Sequence, residues 1–119
     1  MTGQTVVKED RNAEPAPPRA IMVVHMRITD PGWMEDYFRE VPPLLTAYGA
    51  VTLAASTRIV AVEGDGAPDR VAIFSFPSTA QAHAFLADPR YQAQRAARRT
   101  GSLADIVLFD DMTAPGRFV

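Results

Sequence analysis

Three stretches of this chain are apolar on both faces of a strand, and nothing else in the sequence limits its fold as strongly. In Arg70–Phe76 (RVAIFSF), Val71 and Ile73 point one way while Ala72, Phe74 and Phe76 point the other, because side chains alternate along a strand. Ala20–Ile28 (AIMVVHMRI) carries Met22, Val24, Met26 and Ile28 on one face and Ile21, Val23, His25 and Arg27 on the other. Asp105–Phe109 (DIVLF) is as apolar. An antiparallel sheet with one wet face alternates cleanly between apolar and polar residues. These strands do not, so each needs a layer against both faces.

The segments between them supply one layer. Thr29-Asp30-Pro31 is a helix-start signal, a capping residue followed by proline in the first turn. Trp33, Tyr37, Val41, Leu44 and Tyr48 then recur at spacings of three and four, which makes one buried stripe. Pro42-Pro43 predicts a break near Glu40 and a second short helix ending at Gly49, since each proline lacks an N–H and clashes with the preceding turn. Val51–Glu63 reads as one long strand with a bulge, or two pieces, interrupted by Ala54-Ala55-Ser56. After Arg70–Phe76, Ser78 is the expected N-cap of a helix burying Ala82, Phe85 and Leu86. Asp88-Pro89 restarts it, Tyr91, Gln94 and Arg98 share one side, and Gly101 stops it.

The order is β-α-β-β-α-β, an α+β ferredoxin-like arrangement: a four-stranded antiparallel sheet with its helices on one face. The other face needs a cover, and the only large surface left is a second copy, packed sheet to sheet about a two-fold axis. Which face of Arg70–Phe76 takes which cover is open at this point. Ser75 has no acid or base placed beside it by any motif and reads as a small residue in a crowded interface.

Composition narrows function mainly by exclusion. The net charge is −2 and the pI about 5.6, so no global basic field recruits nucleic acid or an anionic membrane. No cysteine is present, which removes disulfides and thiolate chemistry and fits a reducing cytoplasm. No apolar run reaches the roughly 20 residues of a membrane span, and the first 19 residues lack a signal-peptide core. The expected division is an N-terminal arm over 1–19 with a short polyproline segment, a domain over 20–110 and a tail over 111–119.

Several pieces of the sequence resemble a known family. They are Asp30-Pro31 with Tyr37, Tyr48-Gly49, the run from Glu63 to Val71 (EGDGAPDRV), Phe76–Ser78, and Tyr91-Gln92 with Arg98. Together, over roughly Ala20 to Asp110, they resemble domain-of-unknown-function family 1330, in the dimeric α+β barrel superfamily. The resemblance implies a ferredoxin-like protomer and a barrel-forming dimer. It brings no established reaction, because superfamily relatives include cofactor-free monooxygenases, lactone isomerases, polyketide cyclases and haem-handling enzymes. The chain departs from the family pattern at Gly49-Ala50, where a Gly-Gly is typical, and at Ala55-Ser56-Thr57, where an Arg-Gly-Gly is typical.

Among candidate site residues His25 stands first as catalytic, a mid-strand imidazole suited to general-base work near neutral pH. Its bland alternative is a histidine hydrogen-bonded at the dimer interface. Tyr37, Tyr48, Tyr91 and Arg98 are the candidate ligand-binding groups. Arg98 lies two turns from Tyr91 on one helix face and can reach toward the sheet, there to hold an anionic ligand or to pair with Glu63, Asp65 or Asp69. Arg90, Arg95 and Arg99 read as a solvated helix face. Gly64-Asp65-Gly66 is too short for a phosphate loop, no nucleophile elbow occurs, and no metal or cofactor is expected.

The expected protein is a cytoplasmic homodimer that binds a small apolar or aromatic molecule between sheet and helices. It acts as a cofactor-independent enzyme of the monooxygenase or isomerase kind, with no nucleic-acid or membrane partner. The alternative is a non-catalytic dimer with no active site. A pocket of about 300 Å3 or more reached by His25 or Arg98 favours the first, and a filled core the second.

Overall fold

The computed structural model describes residues 18–113; the arm up to residue 17, with its polyproline segment, and the tail from residue 114 lie outside the described residues. The elements are β1 (Ala20–Ile28), a 3-10 turn (Pro31–Trp33), α1 (Met34–Ala47), β2 (Val51–Ser56), β3 (Arg70–Phe76), α2 (Thr79–Ala87), α3 (Pro89–Thr100) and β4 (Ser102–Asp110). The sheet order is β2-β3-β1-β4 and every neighbouring pair is antiparallel. This is the ferredoxin-like β-α-β-β-α-β arrangement, with the second helical segment divided into α2 and α3.

The caps form where the side chains demand. Asp30 accepts a hydrogen bond from the Gly32 amide, Ser78 from the Gln81 amide and Asp88 from the Arg90 amide. Gly101 ends α3 at a crowded junction: its carbonyl accepts from the Thr29 and Asp30 amides and from Trp33 Nε1. A Cβ there would lie 2.3 Å from the Asp30 carbonyl oxygen and 2.5 Å from the Trp33 ring, so only glycine fits. This junction pins the end of α3, and with it Arg98, to the start of the first helical segment.

Three expectations need correction. α1 runs unbroken through Pro42 and Pro43. Both prolines are exposed, as are Phe38 and Arg39, whose carbonyls lose their intrahelical donors, while Val41 and Leu44 stay buried and hold the helix to the core. The second strand is shorter than its β-branched composition suggests. It ends at Ser56, residues 57–69 form no strand, and a bulge lies between Thr52 and Ala54. β4 in turn begins earlier than Asp105, at Ser102.

The pairing register assigns the two sheet faces. Met22, Val24, Phe74, Phe76, Ile106 and Leu108 lie under the helices, with Ala20, Val41, Leu44, Ala82, Phe85 and Tyr91, in one core, and Ala72 is buried on the same face. Ile21, Val23 and His25 of β1 lie opposite Ser75, Ile73 and Val71 on the other face, beside Phe109, Val107 and Asp105 of β4. No helix among the described residues covers that face. Leu103, Val107 and Phe109 are about half to two-thirds exposed there, as are Val51 and Leu53 on β2. Ser75 itself is buried and accepts a hydrogen bond from Arg19 Nε at 2.5 Å.

Candidate functional site

The helix layer does not fill the space above the sheet. A cavity of about 180 Å3 lies between α1 and the helix-covered face, walled by Met22, Val24, Ala72, Phe74, Val41 and Phe85 and opening beside Thr52, Ala55 and Arg70. It exists because β2 is exposed along its whole length, leaving α1 to roof an edge it does not seal. The volume is below the roughly 300 Å3 of a drug-sized site. It exceeds the about 150 Å3 of an apolar cavity that takes up benzene. One ring fits.

Five polar side chains line this cavity, Thr52 and Arg70 from the sheet and Tyr37, Tyr91 and Arg98 from the helices. Tyr37 comes from the second turn of α1, held edge-on against Trp33 with ring centroids 5.2 Å apart. Tyr91 comes from the first turn of α3 and packs on Phe85 at 4.5 Å. Their hydroxyls share a hydrogen bond of 3.2 Å. Burial, then the Tyr91 hydroxyl, pushes the Tyr37 phenol well above the usual tyrosine range, against an opposing pull from the Arg98 guanidinium. Tyr37 is thus a neutral phenol at neutral pH.

Arg98 is the unusual member. It is 4% exposed, it sits in the last turn of α3, and its Nε has no hydrogen-bond partner. The expected pairing with Glu63, Asp65 or Asp69 does not form. All three carboxylates are exposed, Asp69 instead accepts from the Ile28 amide at 2.7 Å, and no ion pair among the described residues includes Arg98. Taking a charge out of water costs several kcal/mol. The negative end of the α3 dipole offsets about 0.3–1 kcal/mol of that. The Tyr37 hydroxyl is a neutral partner to the guanidinium, and no carboxylate among the described residues pairs with it.

The other candidates are elsewhere. His25 is exposed on the uncovered face, opposite Val71 and Asp105, so the sheet itself separates it from the cavity. Tyr48 lies at the end of α1 and donates to Asp88 Oδ2 at 2.6 Å. Arg90, read from sequence as a solvated residue, closes this second group by donating to both oxygens of Asp88, at 2.7 and 3.1 Å. Arg90 first and then the Tyr48 phenol hold the Asp88 carboxyl well below the usual carboxylate range. Among the described residues no three potential ligands gather to hold a metal.

Arg70 and Phe38 escape the sequence reading yet flank the cavity. The Arg70 guanidinium carbon lies 4.6 Å from the centre of the Phe38 ring, a cation–π contact. The signal was available for Arg70: it shares strand parity with Ala72, Phe74 and Phe76, and so their face. Phe38 sits beside Tyr37 off the stripe of threes and fours, and periodicity alone would not find it.

Several solved structures share the fold. A protein of unknown function from Rhodopseudomonas palustris is 17% identical, covering 82% of this chain and 85% of its own, with a TM-score of 0.68. SnoaB, a cofactor-independent oxygenase from Streptomyces nogalater, is 16% identical over 84% of this chain and 99% of its own, with a TM-score of 0.59. A dimeric protein of unknown function and ferredoxin-like fold from Bacteroides fragilis is 10% identical over 77% and 95%, at 0.54. At these identities the likeness is one of fold. No curated protein matches the sequence. The family described as Domain of unknown function (DUF1330) matches residues 19–112, nearly the whole described region, and the chain belongs to that family.

Proposed function

We propose that this chain is a homodimer that binds a small apolar or aromatic molecule, about one ring in size, in the cavity between α1 and the sheet. It acts on that molecule as a cofactor-independent enzyme of the oxygenase or isomerase kind. The observation that carries the binding reading is the cavity: about 180 Å3, walled by apolar side chains and reached by Tyr37, Tyr91 and Arg98. A few convergent polar groups in an apolar hollow are what orient a small ligand. The reaction class is supported by the shared fold with SnoaB, which is a cofactor-independent oxygenase. The catalytic group proposed from sequence, His25, is not at the cavity, so the polar groups available to the bound molecule are the phenols of Tyr37 and Tyr91, the guanidinium groups of Arg98 and Arg70 and the Thr52 hydroxyl.

Dimerisation is supported by the uncovered sheet face, with Leu103, Val107 and Phe109 exposed on it, and by the dimeric state of a protein of like fold. Light scattering at micromolar concentration is expected to give twice the 13.0 kDa chain mass, and Val107→Lys to give the monomer. A wild-type monomer would remove this part of the reading.

Ala55→Trp tests the cavity. Ala55 is exposed at its mouth, and an aromatic residue suits an edge strand, so the substitution blocks entry without overpacking the core. Ligand-observed NMR with a panel of single-ring aromatics is expected to show binding to the wild type and none to the variant, at unchanged thermal midpoint. Absence of any binding to the wild type, or equal binding to both, would sink the proposal.

A further inference from the structure

The geometry points to an anion: we propose that the ring held in the cavity carries an acidic oxygen, a carboxylate in the first instance, and that Arg98 is its counterion. The inference rests on the cavity being a ligand site and names the ligand's chemistry. Arg98 is almost wholly buried, lines the cavity and keeps an Nε–H that nothing accepts. An arginine cannot neutralise itself by losing a proton, and burying its charge unpaired is costly. No histidine, aspartate or glutamate lines the cavity, so the cavity wall offers the guanidinium only neutral partners such as the Tyr37 hydroxyl and no anionic acceptor. A carboxylate matches the fork of donors that a guanidinium presents. The two phenols, bonded to each other at 3.2 Å, leave a hydroxyl proton free to donate to the same anion.

The entrance repeats the preference independently. A shallow depression that shares Ala55 and Arg70 with the cavity is lined by Arg58 and Arg70 and by no carboxylate. In a chain of net charge −2, two cations at the mouth and one at the floor make a local positive path along which an organic anion is drawn.

The test compares benzoate with benzyl alcohol, which keep the ring and differ in charge, by calorimetric titration of the full-length protein at low ionic strength. Benzoate is expected to bind about ten- to a hundredfold more tightly, the range a charge-assisted hydrogen bond supplies. Arg98→Met is expected to weaken benzoate by that same factor and so to erase the preference. In the wild type, benzoate should shift the Arg98 Nε–H resonance, a readout that stands even where the variant does not fold. Equal affinities for the two probes, or an unmoved Nε–H resonance at benzoate saturation, would overturn the anion inference and leave the cavity proposal standing. Binding of neither probe would overturn both.

Discussion

Two tyrosine–arginine groups sit on the same helical layer and differ in one respect. At the end of α1, Tyr48 and Arg90 close on Asp88, and both carboxylate oxygens of Asp88 have internal partners. About three turns nearer the start of α1, Tyr37, Tyr91 and Arg98 line a cavity with no carboxylate in it. The first group is complete and joins α1 to the start of α3. Each buries one charge, the Asp88 carboxylate in the first and the Arg98 guanidinium in the second, and only the first has an ion-pair partner. A fold gains nothing in stability from a buried guanidinium with an orphan Nε, whereas a binding site gains a counterion ready for an anion. The difference separates a group that stabilises the protein from one that is kept at its expense.

The largest expected effect tests that separation. Arg98→Met removes the buried charge at similar volume and should raise unfolding free energy in the absence of ligand by about 1–4 kcal/mol, the range seen when buried ions are replaced by apolar side chains. Arg90→Met should lower it, because it leaves Asp88 without its cation. Urea denaturation of both variants reads the two signs. A loss of stability in both would make the groups alike and end the comparison.

Acid sharpens it next. Asp88 has its carboxyl depressed by Arg90 and Tyr48. Its contribution is therefore present above the unfolded carboxylate value of about 3.9 and is lost as pH falls toward the folded value. Thermal midpoints measured from pH 6 to pH 2 should fall in the wild type, and fall less in Asp88→Asn relative to its own value at pH 6. A parallel decline in both proteins would place the acid sensitivity elsewhere. The Arg98 group has no carboxylate to titrate, so Arg98→Met should leave the shape of this curve unchanged.

The smallest effect concerns the phenols. Tyr37→Phe and Tyr91→Phe each break the one 3.2 Å bond, and each should cost about 0.5–1.5 kcal/mol. The double variant should cost no more than the larger single one, because the pair shares a single interaction. Additive losses would mean that each hydroxyl has its own partner.

Much of the frame was legible before the structure. The runs at Ala20–Ile28 and Arg70–Phe76 are β1 and β3 residue for residue, since β-branched and aromatic runs bounded by turn residues leave little choice. Asp30, Ser78 and Asp88 cap as their spacing to proline or the next helix predicts. Pro42-Pro43 misled because the penalty for a missing N–H depends on whether water reaches the freed carbonyls, and that depends on which side of α1 faces the core. Arg98 was legible as a buried residue through its spacing to Tyr91. That it lacks a carboxylate was not, because partnering is decided by loops that sequence does not place. His25 was legible as a mid-strand imidazole, and its separation from the tyrosines follows from the sheet standing between them.

By itself the sequence determined the order of elements, the strand faces and the caps, because these depend on alternation, periodicity and backbone donors within a few residues. The tertiary structure decided which face of β3 the helices cover, that Phe74 and Phe76 go under them while Val71, Ile73 and Ser75 do not, and that a gap remains beneath α1. Those outcomes turn on how far rigid layers approach across the fold. A gap the size of one ring is a difference between packed volumes, and no short stretch of sequence contains both.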